Sequence, residues 1–346
     1  MVQFVGVSEI RRIVAQVGID TVLTRMVDYL EADFRRWDRF ERIPRLASHS
    51  PGGVIELMPT QDDALYSFKY VNGHPYNFER GLQTVVAIGL MAEVETGYPV
   101  FLSEMTILTA LRTAAMSALA AKHLARPEAK TMAIIGLGAQ SEFQAAAFRA
   151  VLAIETLRVY DVDPAATAKF VRNMAGRGVR VIACEEPGSA VMGADIVTTV
   201  TADKVQATIL SDNMVGAGVH LNAVGGDCPG KTELQKDILA RANVFVELTE
   251  QTRIEGEIQQ MPADFPVTEL WQVIRGEAPG RTARDEITLF DSVGFAVEDF
   301  AALRLLRDLA TETGQYETLD LITNPADPRD LFGLIAPAAV EAAQAA

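Results

Sequence analysis

Asp227 sits in the stretch VGGDCPGKTEL, with Gly225 and Gly226 before it and Cys228, Pro229, Gly230 and Lys231 after it. Glycine and proline mark a tight turn, so this carboxylate stands on a loop leaving the apolar run VHLNAVG. A charge in that position faces either water or a ligand, and beside a ligand it can take and return protons. Three basic residues could hold an anion: Arg45 in RIPRLASHS, Lys69 in ALYSFKYVNG and Arg112 in LTALRTAAM, all on or next to expected strands. A guanidinium clamps a planar carboxylate through two parallel hydrogen bonds, and lysine adds a point charge. If Lys69 lies on a strand, Ser67 shares its face while Phe68 and Tyr70 take the other. Each cation taken singly also reads as a solvated surface charge, and spacing alone does not bring the three together. Glu56 in GVIELMPT is a second acid, equally a proton relay or a strand-surface charge.

A second group of residues points to a nucleotide. AIIGLGAQSEFQAAAF places Gly136 and Gly138 between an apolar strand and a helix. The first glycine suits a tight turn, and the second lets backbone N–H groups approach a pyrophosphate at the helix N-terminus. The third position of the GxGxxG pattern is Ser141, so the fingerprint is incomplete. The next strand, TLRVYDVD, supplies Asp161 where an acid would bond the adenosine ribose hydroxyls, a choice that favours NAD over NADP. The plainer alternative is a βαβ unit with a capping aspartate and no cofactor.

These residues need elements to position them. SEIRRIVAQVG and IDTVLTRMVDYLEADFRRW carry apolar residues at helical intervals, with Ser8 and Asp20 as expected N-caps. RLASHS, GVIELMPTQ, ALYSFKYVNG, LQTVVAIGLMAEV and PVFLSEM follow as short strands with short turns, which predicts an antiparallel sheet in an α+β unit. After Arg112 comes an alanine-rich helix, TAAMSALAAKHLA, and then strands alternate with helices through TMAIIGLG, TLRVYDVD, VRVIACE, DIVTTVTA, VHLNAVG and ITLFDSVG. That alternation predicts an α/β unit with a doubly wound parallel sheet. The expected division is residues 1–115 with 316–346 in one domain, whose tail returns to it, and 116–315 in the other.

With 346 residues the chain is long enough for two domains. Its net charge of -15 argues against a nucleic-acid partner and against docking on anionic membranes. No apolar run reaches the roughly 18–20 residues that cross a bilayer, and no signal peptide is evident. Cys184 and Cys228 are the only cysteines, which fits a reducing cytoplasm, and four scattered histidines have no paired ligand spacing, so no metal site is expected. Composition and spacing stop at an NAD-dependent enzyme acting on a small anionic substrate.

LNAVGGDCPGKTEL is long and specific, and it resembles the ornithine cyclodeaminase/µ-crystallin family. The resemblance covers nearly the whole chain, through RIPRLASH, SFKYVNGHP, LTALRTAA, IGLGAQSEFQ, VYDVDP, TTVTADK, LTEQTRIEGEIQQ and LFDSVGFAVED. GGDCPGKTEL is characteristic of the cyclodeaminase branch. The resemblance implies a Rossmann-type NAD-binding domain joined to an α+β substrate-binding and dimerisation domain. It implies conversion of L-ornithine to L-proline and ammonia, with tightly bound NAD recycled within each cycle, in a cytoplasmic homodimer.

By the same resemblance Arg45, Lys69 and Arg112 hold the α-carboxylate, and Val293 lines the substrate site. Thr84, Ala139, Gln140, Asp161, Thr201, the segment Leu221, Asn222, Ala223 and Val224, Lys231 and Ser292 contact the cofactor beside Gly136 and Gly138, with Arg112 close to both ligands. Asp227 becomes the catalytic acid/base. An alkylammonium has a pKa near 10.4, so the substrate's δ-amine cannot attack until a carboxylate accepts its proton. The reaction has no acyl step, so Cys228 reads as a packing residue. Rival readings are a lysine cyclodeaminase giving pipecolate, a ketimine reductase, and a non-catalytic NAD-binding protein of the crystallin kind.

Overall fold

The described chain forms two β-sheets, one mixed and one parallel. The computed structural model describes residues 1–202, 208–226 and 228–336. The first sheet is built from β1 (Val2–Val5), β2 (Glu41–Arg42), β3 (Leu46–Ser50), β4 (Gly53–Gln61), β5 (Leu65–Gly73), β6 (Ala87–Glu93) and β7 (Pro99–Glu104). Strands β3 through β7 pair antiparallel with their sequence neighbours, and β1 joins β7 in parallel. Two helices, α1 (Val7–Val17) and α2 (Ile19–Arg35), precede β2. Ser8 and Asp20 lie inside the first turns of these helices and do not cap them; the caps are Gly6 and Gly18. The Glu9 carboxylate accepts the Gly6 N–H at 3.0 Å, and Asp20 pairs with Arg149.

The inner face of this sheet follows the two-residue period of a strand. Ser67, Lys69 and Val71 are buried on β5 while Phe68 and Tyr70 are partly exposed, as alternation demands. Lys69 lies beside Met58 of β4 and Gly89 of β6 in the register. A side chain at Gly89 would strike Met105 and Leu303, so glycine there lets the covering helix close over Lys69.

Helix α3 (Thr106–Leu124) links the two sheets. It begins six residues before Arg112, which is therefore a helical residue in α3, not a strand neighbour. The expected boundary at 115/116 falls inside this continuous helix. The second sheet takes β8 (Thr131–Ile135), β9 (Thr156–Tyr160), β10 (Arg180–Ala183), β11 (Ile196–Thr199), β12 (His220–Ala223), β13 (Asn243–Val246), β14 (Thr268–Glu269) and β15 (Thr288–Asp291). Their order is β10-β9-β8-β11-β12-β15-β13-β14, and every pair is parallel. The helices between them include α4 (Ser141–Leu152), α5 (Pro164–Met174), α6 (Pro187–Val191), α7 (Lys236–Arg241), α8 (Thr249–Glu255) and α9 (Leu270–Ile274). The strand order reverses between β8 and β11, which opens a crevice at their carboxyl ends, the usual ligand position of such sheets.

From β15 the chain enters α10 (Ala296–Thr313), which packs against α2, β4 and β5, and then β16 (Glu317–Leu319) pairs antiparallel with β1. β16 thus brings residues 317–319 back to the first sheet. One apolar core runs from Val5 and Ile10 through α3 and α10 to Phe245 and Phe290, tying the carboxyl end of the parallel sheet to the inner face of the mixed one. Among the described residues no helix is long and apolar enough to cross a membrane.

Candidate active site

Arg45, Lys69 and Arg112 come from three different elements and meet at the start of α10. The Lys69 ammonium lies 2.9 Å from Asp299 Oδ1 and is only 1% exposed. Arg112 donates from Nη1 to Glu298 Oε2 at 2.6 Å and from Nε to Asp299 Oδ1 at 3.1 Å. Arg45 reaches across from the mixed sheet. Its Nη2 donates to the carbonyls of Val293 and Gly294 at 2.9 and 2.8 Å, and its Nη1 lies 3.3 Å from Glu56. Its Nε lies 3.2 Å from Glu255 at the end of α8. Glu56 is thereby placed as a partner of Arg45, on the inner side of β4.

Burial sets the electrostatics of this cluster. Desolvation lowers the Lys69 pKa to about 8; Asp299 opposes the fall, while Arg112 and Arg45 add to it. Desolvation likewise raises Glu298 to about 8 against the pull of Arg112. The Arg112 guanidinium is raised despite its own burial, because Asp299 and Glu298 stand against it. A buried charge persists only when it is paired and hydrogen-bonded, and each of these cations is. Three clustered donors with fixed geometry suit a carboxylate ligand.

The loop after β15 joins this cluster to the parallel sheet. The buried Glu247, just after β13, accepts from Ser292 Oγ at 2.7 Å and from the N–H groups of Val293 and Gly294 at 3.3 and 3.2 Å. Leu221, Asn222 and Ala223 are buried in β12, and the Asn222 amide donates to Thr198. The Val224 N–H donates to the Thr199 carbonyl at 2.9 Å. Beyond β11, Thr201 gives both its N–H and its hydroxyl to Glu233, while its carbonyl accepts from Lys231 Nζ at 3.2 Å. Asp227 lies outside the described residues.

The glycine loop fits a dinucleotide. Gly136 has φ +96°, and a Cβ there would stand 2.8 Å from the Val200 carbonyl, so only glycine turns the chain this close to β11. At Gly138 a Cβ would meet nothing within 4 Å, leaving open space before the first turn of α4. Gly138 and Ala139 are exposed there, and the Gln140 Oε1 is buried with no hydrogen-bond partner. Asp161, just past β9, is held by the N–H groups of Leu137 and Asp163 at 2.6 and 2.8 Å. Thr84 stands on the loop before β6, where its carbonyl accepts the His74 N–H at 2.9 Å.

Residues 8–314 match the ornithine cyclodeaminase/mu-crystallin family. The chain belongs to that family. A relative named ornithine cyclodeaminase from Brucella suis biovar 1 is 63% identical over 335 residues, covering 97% of this chain and 94% of the relative. Among solved structures, a lysine cyclodeaminase described with L-lysine, L-ornithine and L-2,4-diaminobutyric acid has a TM-score of 0.90 at 34% identity, covering 96% of this chain and 99% of the other. An archaeal alanine dehydrogenase dimer with bound NAD has a TM-score of 0.85 at 29% identity, covering 93% and 99%. The names of these similar proteins span related amino-acid chemistry on a similar scaffold.

Apart from Glu56, the acids around the cations, Glu247, Glu255, Glu298 and Asp299, are not marked by the sequence patterns. Two of them had an available signal. Glu298 and Asp299 open a long helix directly behind LFDSVGF, and carboxylates in a first turn either cap the helix or face a cation.

Proposed function

We propose that this protein is an NAD-dependent ornithine cyclodeaminase that converts L-ornithine to L-proline and ammonia. The observation carrying this reading is the convergence of Arg45, Lys69 and Arg112 beside the Ser292–Gly294 loop, in a chain 63% identical to a relative of that name. The three cations bind the α-carboxylate and orient the substrate Cα toward the crevice at the carboxyl ends of β8, β11 and β12. Lining by Val293 limits the depth of the site.

NAD supplies a hydride acceptor and, later in the cycle, the same hydride donor, so it stays tightly bound and is recycled. Gly136, Gly138, Ala139 and Gln140 would hold its pyrophosphate, and Asp161 its adenosine ribose. Thr84, Thr201, the segment 221–224, Lys231 and Ser292 complete its surroundings. Once Cα has lost its hydride and carries an iminium, Asp227 accepts the proton of the δ-ammonium and frees that amine to attack Cα. The bond from Cα to the original α-nitrogen then breaks, ammonia leaves, and the returned hydride reduces the cyclic imine to proline. Holding both ends of one substrate replaces an encounter in solution. Glu56, beside Arg45, would exchange a proton near the α-amine. The reading also takes residues 1–115 with 316–346 as the substrate and dimerisation domain and 116–315 as the NAD domain, in a cytoplasmic homodimer that forms proline from ornithine.

The test is to incubate the purified protein with L-ornithine and sub-stoichiometric NAD⁺, following proline, ammonia and NADH absorbance. Equal yields of proline and ammonia without accumulated NADH are expected. Accumulating NADH would instead indicate a dehydrogenase, and faster pipecolate formation from L-lysine would move the substrate by one methylene.

A further inference from the structure

We infer that Glu233 is a positioning residue: with Glu257 and Asp291 it forms a buried strut that fixes the loops after β11, β12 and β15 relative to one another. This rests on the cyclodeaminase reading for the roles of Thr201, Asp227 and Ser292, but the strut itself is a matter of hydrogen bonds. One Glu233 oxygen accepts the Thr201 N–H at 2.7 Å and the Thr201 hydroxyl at 2.6 Å; the other accepts the Gly225 N–H at 2.9 Å. A single side chain, 1% exposed, therefore clasps the ends of two neighbouring strands.

The strut continues backwards through the same device. The Glu257 carboxylate accepts the N–H groups of Glu233 and Leu234 at 2.6 and 3.1 Å. Asp291, the last residue of β15, accepts those of Glu257 and Ile258 at 2.8 and 2.9 Å. The chain of acceptors ends one residue before Ser292, which would face the cofactor.

Space has been left for each carboxylate. A Cβ on Gly225 would overlap both oxygens of Glu233, one on Gly226 would lie 3.0 Å from Glu257 Oε1, and one on Gly256 would lie 2.6 Å from Asp291 Oδ1. Neither Gly225 nor Gly226 has a positive φ. Close approach of a carboxylate, not an unusual turn, is the reason for glycine immediately before Asp227.

Glutamine is the discriminating substitution, because it keeps the shape of Glu233 but puts an NH₂ where an acceptor is required. In Glu233→Gln either Gly225 or Thr201 then faces a donor. The expected result is a fall of at least tenfold in kcat and at least fivefold weaker NAD⁺ binding. The KM for ornithine at saturating NAD⁺ stays within threefold, since Arg45, Lys69 and Arg112 keep their partners. Gly225→Ala attacks the same contact from the other side, so it should give the same split, and the double variant should be no worse than the poorer single one. Purely structural damage would lower the melting temperature without that division between kcat and KM.

A folded Glu233→Gln with kcat and NAD⁺ affinity within twofold of wild type overturns the strut, as does a raised ornithine KM at unchanged kcat. Should that variant not fold, Glu233→Asp, which keeps the charge and withdraws the oxygens by one methylene, is judged by the same split. Wild-type protein that binds NAD⁺ but makes no proline sinks the cyclodeaminase reading alone, and the NAD⁺ affinities still decide the strut. Wild-type protein that binds no NAD⁺ overturns both.

Discussion

Lys69 shows how one residue couples burial to ligand binding. Its pKa of about 8 lies below the ordinary lysine value because desolvation outweighs Asp299. A carboxylate ligand prefers the protonated form, so affinity is constant below pH 8 and falls above it, by up to about tenfold per pH unit. Valerate, a five-carbon carboxylate with no amine of its own, isolates this effect from the substrate's titrations. Its dissociation constant, measured by calorimetry with NAD⁺ present, should be flat from pH 6.5 to 7.5 and should climb between 8.5 and 9.5. In Lys69→Met, binding should be at least tenfold weaker and the climb reduced to the part that ionisation of Glu298, also raised to about 8, contributes. A flat profile in the wild type would refute the buried, titrating lysine. For stability the sign is the reverse. The unfolded chain keeps the lysine proton to about 10.4, so this group's contribution to stability rises with pH between about 8 and that value.

At the scale of elements, the buried acids behind the strand ends give a pH signature of their own. Asp291 is raised to about 7, chiefly by desolvation and further by the nearby Glu233, against the lowering effect of the N–H groups of Glu257 and Ile258. Its folded pKa exceeds the unfolded one, so its contribution is complete below about pH 4 and is lost as pH rises through 7. Asp291→Asn removes that titration along with one acceptor. In urea unfolding at pH 5, 6, 7 and 8, the stability gap between wild type and variant should shrink as pH rises, by no more than about 1.4 kcal/mol per pH unit. A gap that widened with pH would contradict the assignment.

The sequence predicts these elements far better than it predicts the acids that brace them. Strand alternation put Lys69 on the face opposite Phe68 and Tyr70, and strand–helix alternation marked the parallel sheet, because both are local periodicities. The switch-point loop at Gly136 was legible for the same reason. Arg112 was misplaced since the helix that carries it begins among residues with no strong cap signal; its N-cap is Met105. The partners Glu233, Glu257 and Asp291 are scattered over nearly sixty positions and meet only through the tertiary fold. No spacing rule relates them, and glycines 225 and 226 looked like turn residues until the carboxylates beside them were placed.

The whole molecule presents an apolar face opposite the site. Leu46, Leu57, Tyr70 and Ile88 form one cross-strand row over β3, β4, β5 and β6. Leu46 is 62% exposed, Ile88 48% and Leu57 40%. Contiguous apolar surface of this kind marks an interaction site more often than bare solvent, and among the described residues β3 pairs only with β4, leaving its other edge open to a partner strand. A second copy of the chain is the proposed occupant. Lys69, Met58 and Gly89 point to the inner side of the same strands, so charges added to the outer row leave the cation cluster untouched. Leu57→Asp combined with Ile88→Asp should therefore convert a dimer of the wild type into monomer by light scattering at micromolar concentration. The far-UV spectrum and NAD⁺ binding should be retained. Wild type that sediments as a monomer, or a double variant that stays dimeric, would place the interface elsewhere. Loss of activity on dissociation, with NAD⁺ still bound, would show that the outer face steadies β4 and β5, and with them the hold of Glu56 and Lys69 on the substrate side of the crevice.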